Sequence, residues 1–100
     1  MRKITQTKIS RNKGIILNEW CVYILRCSDD SLYTGITNDI DKRLDKHQKG
    51  LGAKYTRGRG PLVLVYRMVM SDKSSALKEE YRIKQLTKKK KLELIDTTYD

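Results

Sequence analysis

The spacing of apolar residues changes along the chain, and each change marks an element. WCVYILRC, 20–27, is a near-continuous run of apolar, aromatic and β-branched residues, the pattern of a buried strand. SDDS, 28–31, breaks the run with turn formers, and LYTGIT, 32–37, returns to strand-like composition, so 20–37 predicts a β-hairpin. The period then turns helical: Ile40, Leu44 and His47 fall at i, i+4 and i+7. Asn38 is the expected cap, Asp39 suits the positive end of the helix dipole, and Gly50 is a natural stop just past Lys49. GLGAKYTRGRG, 50–60, predicts a loop or a short helical turn. PLVLVYRMVM, 61–70, predicts a third strand with Pro61 at its mouth. Ser71 or Asp72 opens a second helix reaching about Leu86, with Ala76, Leu77, Tyr81, Ile83 and Leu86 as its inward stripe. Thr87 is placed to cap a last helix, KKKKLELI.

The order β-β-α-β-α-α predicts an α+β fold, a small three-stranded antiparallel sheet with helices packed against it. One covered face is the economical arrangement. Residues 19–96 form the expected domain, followed by a short tail, 97–100. Residues 1–18 read as a basic extension with little periodicity, either a poorly ordered arm or, through Ile15, Ile16 and Leu17, a short added strand.

Composition sharpens this picture. The chain has 100 residues, enough for one domain with a thin core, and a net charge of +10. The excess is spread over the chain, with +4 in residues 1–19, +4 in 20–71 and +2 in 72–100. A folded unit that stays this basic calls for an anionic partner, and nucleic acid is the first expectation. An anionic membrane would call for a basic amphipathic helix with exposed bulky apolar residues, which the pattern lacks. No apolar run is long enough to span a bilayer, and no signal-peptide core is visible. Cys21 and Cys27 would lie about 20 Å apart in one extended strand, too far to bridge. Two reduced thiols and a cytoplasmic protein are therefore expected. One histidine and two separated cysteines do not make a usual zinc site. The chain also has no Ser–His–Asp set, no thiol beside the histidine, no P-loop and no GxGxxG.

Candidate chemistry comes from polar residues in phase with apolar ones. Arg43 and His47 are i, i+4 neighbours on the inner side of the first helix, so their tips can reach one spot beside the sheet. The plainer alternative is a solvated face, with Arg43 paired to Asp39. Glu80 shares the inward stripe of the second helix, and a carboxylate there needs an arginine, a metal or a proton. The alternative is a partly exposed ion pair with Lys84. In the hairpin, a three-residue turn over 28–30 sets Tyr33 opposite Leu25 and Tyr23 opposite Gly35, with both phenols on one face. A two-residue turn would send them to opposite faces. Asp30 tolerates the left-handed backbone that the longer turn requires, and Gly35 opposite a tyrosine leaves open space. Lys54, Tyr55, Arg57 and Arg59 place positive charge and an aromatic on a glycine-rich loop, a combination suited to a phosphate backbone or to solvent alone. Lys88–Lys91 fit a secondary contact or a solvated helix start.

These residues fall into motifs that resemble the GIY-YIG nuclease superfamily, and within it the short stand-alone bacterial branch (YhbQ-like proteins). The motifs are Val22-Tyr23-Ile24, Tyr33-Thr34-Gly35, KRLDKH with Arg43 and His47, GAKYTRGRGPLVLVY (52–66), and SSALKEEYRIKQL (74–86). Together they cover about residues 20 to 95, in order. Val22 replaces the name-giving glycine and Thr34 an isoleucine, both points at which the branch varies. The resemblance implies that Glu80 is the single protein ligand of a divalent ion, Mg²⁺ or Mn²⁺, with spacing and helical phase favouring it over Glu79. It implies that Arg43 clamps the scissile phosphate and that Tyr23 helps deprotonate the attacking water. Tyr33 would orient water or phosphate, His47 would support the base or hold a phosphate oxygen, and Gly35 would admit the substrate. A phenol titrates near pH 10, so Tyr23 would need help from nearby positive charge, and an alkaline optimum follows.

The expected function is thus a metal-dependent DNA endonuclease, bacterial and tied to DNA repair in keeping with its branch. RNA is a further substrate class. The rival expectations are a non-catalytic nucleic-acid-binding module and an interaction protein with a solubilising charge. With about 100 residues, selectivity for nucleic-acid structure rather than sequence is expected, unless a homodimer or protein partner supplies a reading surface.

Overall fold

Five consecutive residues of the first strand, Cys21 to Leu25, are buried, and this single fact sets the architecture. The computed structural model describes residues 19–97. The proposed extension, 1–18, with its Ile15–Leu17 strand, lies outside the described residues, as do 98–100. Strand β1 (Cys21–Arg26) is the middle of an antiparallel sheet of order β2-β1-β3, flanked by β2 (Leu32–Thr37) and β3 (Val63–Val69). A middle strand with buried side chains pointing both ways needs cover on both faces.

Both faces are covered. Cys21, Tyr23 and Leu25 point to one side, where they pack with Ile40 and Leu44 of α1 (Ile40–Gln48) and with Leu62 and Leu64. Val22 and Ile24 point to the other, against Ala76 and Ile83 of α2 (Lys73–Lys84) and Ile95 of α3 (Lys88–Asp96). The expected one-sided packing is therefore corrected: the unbroken CVYIL run marks a strand dry on both faces, and the helices divide between them. A bulge in β3 keeps this division, because Leu25 faces Leu64 while Ile24 faces Tyr66, leaving Val65 as the extra residue.

The hairpin takes the longer turn. Tyr23 is registered with Gly35 and Leu25 with Tyr33, so both phenols stand on the α1 face. Asp30 holds φ +68°, the left-handed conformation that the turn demands. Asp39, rather than Asn38, caps α1, its carboxylate accepting the Lys42 amide at 3.2 Å. The helix ends as predicted: Gly50 has φ +77°, and the Gly50 and Leu51 amides return to the His47 and Lys46 carbonyls. Asp72 and Thr87 cap α2 and α3. The predicted stripe of α2 is partly wrong, since Leu77 and Tyr81 are 46% and 70% exposed. Within that stripe, Ala76 and Ile83 carry the burial.

Candidate active site

The side chains singled out in the hairpin and in α1 meet on one face. Tyr23, in the middle of the central strand, extends its ring across the sheet towards β2. A Cβ at Gly35 would lie 2.7 Å from the Tyr23 hydroxyl and 3.1 Å from the Tyr33 ring. The open space expected at Gly35 is thus filled by the Tyr23 ring itself, and glycine is needed there so that the two phenols fit. The α1 turn carrying Arg43 and His47 lies over this spot. His47 Nε2 is 2.9 Å from the Tyr23 hydroxyl, and Arg43 Nε donates to the same oxygen at 3.4 Å. The i, i+4 spacing has brought both tips to one atom.

Loop 50–60 closes the pocket. It turns without regular structure, and its far end is held by Gln48, whose amide donates to the Leu62 carbonyl at 2.9 Å and accepts the Leu62 amide at 3.2 Å. The Ser28 amide donates to the Arg59 carbonyl, which ties the loop to the hairpin turn. Inside the loop, Thr56 is 2% exposed, and its Oγ1 lies 2.9 Å from His47 Nδ1 and 3.0 Å from the Ala53 carbonyl. Gly52 packs flat on the imidazole, where any Cβ would collide with the ring. His47 is therefore enclosed, 2% exposed, with both nitrogens occupied. Neither Thr56 nor Gly52 follows from sequence pattern, because no periodicity links an irregular loop to a helix. The only available signal was the unusual glycine content around one threonine.

The aromatic groups form a graded wall. The Tyr33 ring is 5.3 Å from His47 and 6.3 Å from Tyr23, and it stacks on Tyr55 at 6.0 Å. Arg59 lies 4.5 Å over the Tyr55 ring and pairs with Asp29. Tyr55 thus braces the loop against Tyr33 while remaining 43% exposed. Lys54 and Arg57 remain exposed on the loop.

Electrostatics follow from enclosure. Burial, and then the positive charge of Arg43, push the His47 imidazole down to about 4, so it is neutral at physiological pH. Burial pushes the Tyr23 phenol up to about 12 despite the Arg43 hydrogen bond, which pulls the other way. The Arg43 charge on its own does not outweigh that burial. Arg43 is held firmly protonated, chiefly by its bond to Tyr23.

Glu80 sits apart. Its helix packs on the other face of the sheet, over β1 and β2, and its carboxylate, 19% exposed, pairs with Lys84 at 3.1 Å. Among the described residues no hydrogen bond or ion pair joins it to Tyr23, Arg43 or His47. Glu79 has both oxygens engaged by Arg82, at 3.0 and 2.6 Å. No group of three or more His, Cys, Asp or Glu side chains suited to a metal occurs among the described residues. Cys21 and Cys27 are both buried and unbridged. No helix among those residues is long and apolar enough to cross a membrane.

Comparison with known proteins agrees with this architecture. The model of the GIY-YIG catalytic domain matches residues 19–93. A UPF0213 protein of Oceanobacillus iheyensis is 59% identical over 75 residues, covering 75% of this chain and 87% of that protein. The UPF0213 protein YhbQ of Escherichia coli is 48% identical over 79 residues, covering 79% of each. The solution structure of a UPF0213 protein from Bacillus halodurans is 48% identical, covers 79% of this chain and 84% of its own, and superposes with a TM-score of 0.53. A solution structure from E. faecalis, 33% identical, covers 84% of this chain and 91% of its own with a TM-score of 0.58. With five motifs in order, the β2-β1-β3 sheet and relatives of this similarity, the chain belongs to the GIY-YIG family, in the short branch that includes the UPF0213 proteins.

Proposed function

We propose that this nuclease-type fold is an active endonuclease that hydrolyses DNA phosphodiester bonds with one divalent ion. The observation that carries the reading is the Tyr23 hydroxyl, set 2.9 Å from a neutral imidazole and 3.4 Å from a guanidinium nitrogen. A phenol with a proton acceptor on one side and a fixed positive charge on the other is arranged to lose its proton while a phosphate sits beside it.

The hydrolytic step requires substrate binding to uncover the Tyr23 hydroxyl, which is buried in the free protein. The water oxygen then bonds to phosphorus and its proton passes to the Tyr23 oxygen. The proton of Tyr23 passes to His47 Nε2. The ester P–O bond breaks, and the leaving oxygen takes a proton from solvent. The imidazolium so formed lies near Arg43, an unfavourable pairing in the free protein. Burial is the larger cost and Arg43 the smaller. The anionic phosphate acts against both as a nearby negative charge, so proton transfer is coupled to substrate binding. Arg43 holds the phosphate oxygens as charge develops on them, and Tyr33, stacked on Tyr55, lines the approach. Because His47 takes the proton, the alkaline optimum expected for a free phenolate gives way to a plateau.

Glu80 is the residue to hold the ion. A hard cation is commonly held by one or two carboxylates plus substrate phosphate and water. Glu80 offers a carboxylate whose partner, Lys84, is itself 50% exposed and displaceable. When bound, the ion supplies charge stabilisation to the phosphoryl group. The carboxylate would act around the open edge of β2. Lys54, Arg57 and Arg59 supply sequence-independent phosphate contacts, so the reading favours selection of DNA by structure. The Glu80–Lys84 pair is also the observation that favours the rival, a binding module without turnover.

The experiment is nicking of supercoiled, branched and single-stranded DNA with Mg²⁺ or Mn²⁺, beside Glu80→Ala. Cleavage by the natural chain, lost in Glu80→Ala with DNA affinity kept, is the expected result. Salt-dependent binding indifferent to metal and to Glu80, without cleavage, sinks the nuclease reading.

A further inference from the structure

We infer that Thr56 is a positioning residue that fixes the tautomer of His47, placing the imidazole proton on Nδ1 and leaving Nε2 as the acceptor for the Tyr23 proton. Its catalytic consequence rests on the nuclease reading above. The tautomer itself does not.

The two ends of the hydrogen-bond chain set its direction. At one end the Ala53 carbonyl can only accept, so the Thr56 hydroxyl, 3.0 Å away, donates to it. That hydroxyl has one proton, so towards His47 Nδ1, 2.9 Å away, it is left as an acceptor, and Nδ1 carries the hydrogen. In a neutral imidazole Nε2 is then bare and accepts from the Tyr23 hydroxyl at 2.9 Å. At the other end Arg43 can only donate, and its Nε–H points at the same phenolic oxygen. One arrangement of protons satisfies every bond in the chain. The opposite tautomer would either leave Nδ1 unpaired or turn the Thr56 hydroxyl away from the Ala53 carbonyl, which would keep only the Thr56 amide at 3.2 Å. It would also aim an Nε2–H at Tyr23, whose own proton then loses its acceptor.

The loop is shaped for this contact. Gly52 lets the backbone lie against the ring, and Thr56 is as buried as His47, at 2% exposure each. The charged group facing the imidazole is Arg43 on its own helix, and the titratable groups are the neutral phenol Tyr23 and Tyr33 on the sheet. The basic loop that reads in the sequence as a phosphate contact thus also orients the base.

His47 is the only histidine in the chain, so long-range ¹H–¹⁵N spectra of the whole labelled protein report one imidazole without assignment. The proton is expected on Nδ1 in the natural chain and in Thr56→Ser. In Thr56→Val, which keeps shape but removes the hydroxyl, it is expected to move towards Nε2. DNA nicking is expected to fall about 10- to 100-fold in Thr56→Val, as for other residues that orient a catalytic group, and to stay near normal in Thr56→Ser. A proton on Nε2 in the natural chain overturns the inference, and needs no variant to fold. So does a folded Thr56→Val that keeps the natural tautomer. The spectrum is read without DNA or metal, so a failure of the nuclease reading leaves it intact.

Discussion

On the α1 face of the sheet, polar side chains are walled in: Tyr23, His47 and Thr56 are each no more than 2% exposed and bond to one another. On the α2 face, the two glutamates stay at the rim, 21% and 19% exposed, and pair with arginine and lysine three and four residues on in their own helix. Enclosure fixes partners and proton positions on the first face, while the rim pairs are held weakly and can be exchanged for another cation. The proposed hydrolytic reading uses both kinds of region: the enclosed side as a rigid proton path and the rim carboxylate as the group that takes up an ion with substrate.

The strongest way to break this comparison is to remove the enclosed phenol. Tyr23→Phe keeps the packing but leaves His47 nothing to accept, and nicking is expected to fall about a thousandfold while DNA affinity holds. An unchanged rate would show that the buried chain is structural. Next in size is Gly52→Ala, whose methyl meets the imidazole. A loss of about 1 to 3 kcal/mol in urea unfolding is expected, because a buried ring has nowhere to move. A stability equal to that of the natural chain would mean the loop is loose.

A smaller effect lies in pH. The folded His47 titrates near 4 against an ordinary value of 6.5, so the unfolded chain binds the extra proton between those values. The stability that this histidine contributes is present above pH 6.5 and is lost as pH falls towards 4. His47→Gln should therefore flatten the acid limb of stability against pH, and an identical limb would contradict the enclosure. The smallest effect is expected at the exposed loop. Replacing Lys54 and Arg57 by glutamine should lower the salt slope of DNA binding by about 0.9 for each phosphate no longer neutralised, with the tautomer unmoved. An unaltered slope would show that these two cations lie away from the DNA.

The strands and the helix order were legible because each rests on local chemistry, an apolar run or a cap. The hairpin register stayed open between two turn lengths, with Asp30, able to take φ +68°, pointing to the longer one. That register put both phenols on one face, and α1 periodicity put Arg43 and His47 above them. Leu77 and Tyr81 misled because apolar residues on a small domain need not be inside. Two-sided burial was written in the CVYIL run, where strict alternation was absent. Thr56 and Gly52 were out of reach, since the neighbours of an irregular loop depend on where tertiary packing sets it down. The high titration of Tyr23 was hidden for the same reason: burial outweighs the nearby arginine only once the strand is known to be dry.

The most direct test is the pH dependence of kcat/KM for Mg²⁺-dependent nicking, which reports groups in the free enzyme. With His47 near 4 and Tyr23 near 12, the rate should be level from neutral through alkaline pH and fall only as pH drops towards 4. A rate that climbs about tenfold for each pH unit above 7, as for a phenol that must first lose its proton to solvent, would contradict the transfer from Tyr23 to His47.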